Sequence, residues 1–322
     1  MAKKILVRAG MTPLETPTVE RVLNANLLGI NAGNLVYQYS VFRTLMTSLR
    51  VSFLADRYQL DERDADWVNA HCSCYVIPLA DAFRPNCAKD LGRVTALVKR
   101  LKIPCVVVGA GLRAPLSKDL SEPFPFDDTV RAFVNAVLDK SALLGLRGHT
   151  TGDYLARLGY KEGRHFQVIG CPSMYLHGAA LPCPGKPNIS WDSKISVNMN
   201  VWSQPNVSRC LMGVLDSHPQ SVYTAQRSEE LRTLYFGRRY KTRPEVDFYP
   251  RTLKHPLYAQ DRVRIYIHAK PWIDALGTLE LSVGGRLHGN VAAIVSGTPT
   301  LVIPRDHRMT ELVRFHAMPH VM

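Results

Sequence analysis

No apolar run in this chain approaches the roughly twenty residues a membrane-spanning helix needs, so a helical integral membrane protein is excluded. The N-terminus carries Lys3-Lys4 without the apolar core of a signal peptide, and the expected location is the cytoplasm. Cysteine is scattered and odd in number, at Cys72, Cys74, Cys87, Cys105, Cys171, Cys183 and Cys210. A disulfide framework is excluded on that pattern, and reduced, partly buried thiols are expected. His71-Cys72-x-Cys74 has no second ligand pair at a usual spacing, so no metal is expected. The net charge is +13, yet no run of five or more basic residues forms: Lys99-Arg100, Arg238-Arg239, Arg262-Arg264 and Arg305-Arg308 are spread along the chain. With no recognisable nucleic-acid module, nucleic acid is not an expected partner. The excess charge fits a solvated face, a small anionic substrate or an acceptor on an anionic membrane. There is no repeat and no low-complexity segment.

What is present is alternation. The 322 residues suit two ordinary domains. Residues 51–55, 75–79, 105–109, 142–146 and 166–169 read as buried strands, and 35–49, 87–101, 128–140 and 151–158 as helices. Residues 1–20, with Pro13 and Pro17, read as an arm or edge segment. Proline-bearing residues 170–193 read as a linker, with the domain boundary near residue 180. A second alternation follows: strands at 194–199, 221–225 and 262–268, and helices at 207–216, 229–236 and 271–276. Such order predicts parallel sheets with helices on both faces.

The richest stretch is 279–304. Residues 279–283 suit a strand, Gly284-Gly285 a tight turn, and Val291 to Val295 a helix that Gly297 and Pro299 stop. Thr300 begins a second strand, and a last helix is expected over 309–318. This arrangement puts Arg286 and His288 at a strand's C-terminal end and a helix N-terminus, where ligands bind in open α/β sheets. Free N–H groups there favour an anion. A guanidinium grips a carboxylate or phosphate with two bonds, and an imidazole transfers protons near neutrality. The alternative is an arginine paired on the surface and a histidine capping the helix.

Gly285-Arg286-Leu287-His288-Gly289, then Ala293-Ile294, Gly297, Pro299, Ile303-Pro304, Asp306, Arg308, Glu311 and Leu312, resembles the signature of the polysaccharide pyruvyltransferase family. Thinner matches lie upstream. Gly33-Asn34 resembles a family turn, although no Asp follows Asn34. The glycine turn Gly109-Ala-Gly111 resembles another and lacks the third glycine of a dinucleotide fingerprint. Arg147 resembles the Arg of a Val-Arg-Asp or Val-Arg-Glu segment, with Gly148 replacing the acid. Gly170-Cys171-Pro172 resembles Gly-Asp-Pro without its acid, and Arg308 stands where the family usually has Lys.

The resemblance implies two Rossmann-like domains of the GT-B architecture, 1–180 on the acceptor side and 181–322 on the donor side, with a cleft between them. It implies phosphoenolpyruvate as donor, two hydroxyls of a sugar in a glycan or lipid-linked saccharide as acceptor, a pyruvate ketal as product, and no cofactor. His288 and Arg286 are the expected catalytic residues. Arg147, Arg308, Asn34, Gly285, Gly289 and Glu311 are the expected substrate-binding residues, with the three arginines converging on the doubly anionic donor. Peripheral contact with the inner face of a membrane is compatible with such an acceptor. The competing readings are a GT-B glycosyltransferase using a nucleotide sugar and a non-catalytic anion- or glycan-binding protein.

Overall fold

The computed structural model describes residues 3–182, 184–242 and 244–322, so Cys183, one of the thiols expected to be reduced, lies outside the described residues. In chain order the elements are β1 (Lys4–Val7), α1 (Val19–Asn24), α2 (Gly33–Leu45), β2 (Phe53–Ala55), α3 (Ala65–His71), β3 (Cys72–Pro78), α4 (Ala88–Arg100), β4 (Cys105–Val108), α5 (Asp127–Leu138), β5 (Leu144–Leu146), α6 (His149–Arg157) and β6 (Phe166–Val168). They continue with β7 (Ile195–Asn198), α7 (Pro205–Ser217), β8 (Val222–Ala225), α8 (Ser228–Phe236), α9 (Pro256–Ala259), β9 (Val263–Ile265), α10 (Ala269–Leu276), β10 (Leu281–Gly284), α11 (Leu287–Ser296), β11 (Thr300–Val302) and α12 (His307–Phe315).

The chain packs as two compact units. Unit 1 comprises Met1–Glu15, Ser40–Pro172 and Arg305–Ala317, and unit 2 comprises Thr16–Tyr39, Ser173–Pro304 and Met318–Met322. This corrects the simple division near residue 180. Thr16–Tyr39 belongs with unit 2 because its turn is bonded there: Ala32 N–H donates to Gln226 O at 2.7 Å and Ser228 N–H to Ile30 O at 3.2 Å. Arg305–Ala317 belongs with unit 1 because α12 packs on α6 and His307 N–H donates to Ala114 O at 3.1 Å.

Unit 1 is built on a parallel sheet ordered β2-β1-β3-β4. Bonds from Ala110 N–H to Gly145 O (3.0 Å) and from Arg147 N–H to Ala110 O (2.8 Å) carry the pairing on to the parallel pair β5-β6. A parallel sheet covered on both faces needs near-continuous apolar strands, and Tyr75, Val76 and Ile77 of β3 are all buried. The helices cover it with one apolar stripe each: α4 buries Leu91, Val94, Leu97 and Val98 and leaves its last-turn Lys99 and Arg100 in water. The segment read as an N-terminal arm contains β1, a central strand paired on both sides. Four residues between Lys3 and a proline-bearing stretch give too short a period to read.

Unit 2 holds the sheet β11-β10-β7-β8-β9, all parallel. Counted from its own first strand this is the doubly wound order, and it reverses between β7 and β10. The crevice outside those two strands is where this topology binds ligands. At the end of β10, Gly284 has φ +149°, and a Cβ there would lie 1.9 Å from Asn198 O. Gly284→Ala is expected to destabilise the protein by about 3 kcal/mol or more, from backbone strain and overpacking together. Thermal or denaturant melts check this, and a stability near that of the parent contradicts the close approach.

Candidate active site

In unit 2 the site is hung from Asn198, the last residue of β7. Its backbone carbonyl accepts from Gly285 N–H at 3.0 Å, and its side-chain Oδ1 accepts from Arg286 N–H at 2.8 Å. Its Nδ2 donates to Asn290 Oδ1 at 3.0 Å, and Asn290 Nδ2 donates back to Gly284 O at 3.0 Å. The turn between β10 and α11 is therefore tied to the neighbouring strand by buried amides, every one of them bonded. Gly289 lets the first turn of α11 come close, since a Cβ would lie 2.6 Å from Gln226 Nε2 and 3.0 Å from Asn198 Cγ. Gly285 is less constrained, with Ser203 Oγ 3.3 Å from the same position.

Arg286 is buried at 7 % exposure. Its Nε donates to Met199 O at 2.8 Å, and its Nη2 lies 3.9 Å from Glu230 Oε2. Glu230 is itself buried and fixed, accepting from Arg227 N–H at 2.7 Å, from Gln226 N–H at 2.9 Å and from the Tyr223 hydroxyl. Two buried donors here, Arg286 Nη2 and Gln226 Nε2, have no hydrogen-bond partner among the described residues. Buried donors left so are costly, and an anion at the helix N-terminus would satisfy them.

His288 is buried, with its ring centroid 5.9 Å from that of Tyr37. Gly33 packs on it, since a Cβ at Gly33 would stand 2.9 Å from His288 Cβ. The Gly33-Asn34 turn thus places a glycine where His288 needs room. At the start of α2, Asn31 Oδ1 accepts from Gly33 N–H at 2.9 Å. Asn34 Nδ2 donates to Leu28 O (2.9 Å) and Gly29 O (3.3 Å) and ties the preceding loop.

In unit 1 the residues following β3, β4 and β5 gather charge with the start of α12. Arg147 is fully buried and donates from Nε to Gly109 O at 2.9 Å. Gly111 makes space for it, because a Cβ there would lie 3.1 Å from Arg147 Cδ. Asp81 lies between Arg84 Nη1 (3.1 Å) and Arg113 Nη1 (3.2 Å). Asp306 caps α12 through Met309 N–H at 2.9 Å, and its Oδ2 is 3.6 Å from Arg308 Nη2 and 3.8 Å from Arg113 Nε. Burial would push both carboxyls up, but the surrounding arginines, Arg308 foremost, hold them below their usual range.

Glu311 accepts from Thr151 N–H at 2.9 Å and from Thr151 Oγ1 at 2.8 Å. Gly148, where the family pattern has an acid, is the residue against which this carboxylate packs: a Cβ there would lie 2.6 Å from Glu311 Oε2. Burial pushes Glu311 up to about 7, against the opposing pull of Thr151, Arg147 and Arg308. Cys171 N–H donates to His316 Nε2 at 2.8 Å, and burial, with Arg147 nearby, lowers His316 to about 4.

The expected residues thus fall into two groups. Arg286, His288, Gly285, Gly289 and Asn34 lie in unit 2, and Arg147, Arg308 and Glu311 in unit 1. Sequence reasoning missed Asn198, Gln226, Glu230, Asp81 and Arg84. Asn198 and Asp81 carried a readable signal, since each sits where an apolar strand ends. Among the described residues no group of three or more His, Cys, Asp or Glu side chains could hold a metal ion, and no helix is long and apolar enough to cross a membrane. The six described cysteines are free thiols.

The sequence model for polysaccharide pyruvyl transferases matches residues 50–307, well over half of the chain. The chain belongs to that family. It is a transferase of the polysaccharide pyruvyl transferase class, with the α/β, GT-B type of fold that the resemblance implied. An uncharacterized protein of Klebsiella pneumoniae subsp. pneumoniae is similar in structure at 11% identity and a TM-score of 0.51, over 99% of this chain and 93% of that one. The UDP-GlcNAc 2-epimerase of Methanocaldococcus jannaschii, solved with UDP-GlcNAc and UDP, is similar at 10% identity and 0.50, over 99% and 89%. That of Neisseria meningitidis, bound to UDP-GlcNAc, is similar at 12% and 0.50, over 99% and 87%. At such identities the likeness concerns the fold alone. No curated protein matches the sequence.

Two of these groups make opposite contributions to the pH dependence of this pyruvyl transferase's stability. Glu311, raised in the fold, stabilises fully below its ordinary 4.5 and loses that contribution as pH rises through about 7. His316, lowered in the fold, stabilises above its ordinary 6.5 and loses that contribution as pH falls through about 4. Glu311→Gln removes the first and leaves the second. Its melting temperature is expected to rise more steeply than the parent's from about pH 5 to about pH 7, and to exceed the parent's at about pH 8. Melts across that range check it, and parallel curves contradict the assignment.

Proposed function

We propose that this pyruvyl transferase takes its pyruvyl group from phosphoenolpyruvate and joins it to two hydroxyls of one sugar, in a glycan or lipid-linked saccharide, as a cyclic ketal. The observation that carries the reading is the pairing of buried Arg286, with a donor nitrogen unbonded, and buried His288 two residues on, at the switch point of the unit 2 sheet. Phosphoenolpyruvate offers a carboxylate and a phosphate to such donors. The first turn of α11 adds backbone N–H groups with partial positive charge.

In this reading His288 gives a proton to the methylene carbon of the enol, and the neighbouring carbon becomes open to a sugar oxygen. The first hydroxyl adds there, and its proton returns to the imidazole. The second hydroxyl displaces phosphate, which departs against the cations with the remaining proton. Atoms balance: of the two hydroxyl hydrogens, one ends on carbon and one on phosphate. Arg147 and Arg308 of unit 1 are assigned to substrate binding on the same chemical ground, the need for several cations. Glu230 keeps Arg286 oriented without forming a close pair with it.

His288→Ala is expected to lower phosphate release from phosphoenolpyruvate, with acceptor present, by about 10²- to 10⁴-fold, the usual worth of a positioned acid. Turnover near the parent's removes His288 from that role. Gly33→Ala, which forces His288 to shift, is expected to lower turnover by about tenfold or more through misplacement of the imidazole alone. Phosphoenolpyruvate, and not a nucleoside diphosphate, is expected to raise the melting temperature. The opposite preference favours a nucleotide-sugar glycosyltransferase.

A further inference from the structure

The last turn of α8 and the residues after it form a surface the chemistry above does not use. Residues 234–239 are six consecutive exposed positions. Leu234, Tyr235 and Phe236 are 40, 48 and 47 % exposed, and Leu253, 45 % exposed, stands beside Gly237. The Tyr235 and Phe236 rings meet edge to face at 4.9 Å, and Arg238 Cζ lies 5.5 Å over the Phe236 ring. Tyr235 also donates its hydroxyl to Glu20. Arg239 and Lys254, which follow Arg238 and Leu253 in the chain, are exposed as well. Between residues 232 and 241 there are four basic side chains, Arg232, Arg238, Arg239 and Lys241, and no acidic one.

Single exposed apolar residues are ordinary, but a contiguous group with a polar rim marks an interaction surface. Glu20, at Tyr235, is the acidic side chain that meets the cluster, and the residues that follow α8's last turn are basic in excess, so the complementary partner is anionic. The cluster mixes aromatic with aliphatic side chains, as residues do at the boundary between lipid headgroups and acyl chains. Guanidinium groups beside it suit lipid phosphates. We propose that this end of α8 is where the protein rests reversibly on an anionic lipid bilayer, with Leu234, Tyr235, Phe236 and Leu253 entering the headgroup layer and the basic side chains on its phosphates. The inference stands on the surface alone and does not depend on the donor substrate.

The test is sedimentation of the full chain with vesicles of phosphatidylglycerol and phosphatidylcholine, against phosphatidylcholine alone. Binding is expected only to the anionic vesicles and is expected to weaken with salt. Phe236→Ser and the double variant Arg238→Glu, Arg239→Glu are each expected to lower it by about tenfold or more, with parental melting curves because the positions are exposed. Phe236→Trp supplies a readout that keeps the surface: its added fluorescence is expected to shift blue on anionic vesicles and to be quenched by brominated lipid. Absence of binding, or binding unchanged in both disabling variants, overturns the proposal. So does concentration-dependent self-association that Phe236→Ser abolishes without vesicle binding, which would give the surface to a second copy of the chain.

Discussion

At Gly284 two neighbouring strands end so close together that no side chain fits between them. Asn198 fills the space that remains, bonding Gly285 and Arg286 through its carbonyl and side-chain oxygens. Because those amides are buried, the turn cannot loosen without leaving polar groups unpaired, at a cost of about 1–3 kcal/mol for each. The placement of Arg286 and His288 follows from that constraint. Their reach is set by backbone they do not control, and Gly289 and Gly33 are the clearances that let them stay there.

Both units hold buried guanidinium groups, and each handles the resulting electrostatic problem by geometry. A charge taken out of water is costly unless it is compensated. In unit 2, Glu230 compensates Arg286 from 3.9 Å, too far for a hydrogen bond, so one guanidinium nitrogen still has its donor capacity. In unit 1, Asp81 is shared by Arg84 and Arg113, and Asp306 lies within 4 Å of Arg113, Arg305 and Arg308. Such sharing keeps a positive field that a compact one-to-one pair would cancel.

Much of this was legible in the residues. The 279–304 stretch folds as read, because a glycine pair, a solidly apolar helix and a Gly-x-Pro stop are local signals that agree with one another. Central strand β1 was illegible because four residues show no period. Asn34 Nδ2 ties its own preceding loop through Leu28 O and Gly29 O, a use that the turn's sequence does not reveal. The glycine at 148 looked like the loss of an acid. The structure puts a carboxylate there from Glu311, 163 residues further along the chain. A contact of that sequence separation leaves no trace in spacing or composition. Glu230 was hidden for the same reason, within an ordinary amphipathic helix.

The interleaving of the two units bears on how the chain is made. Its six segments alternate, so the polypeptide passes between the units five times. Unit 1 lacks α12, and with it the cap on the Thr151 region, until residues 305–317 have left the ribosome. Unit 2 cannot complete its outer edge before then either, because Val302 N–H pairs with Pro319 O and Val321 N–H with Val302 O. Neither unit has all of its packing until residues 305–321 have been made, although the strands of both sheets precede them.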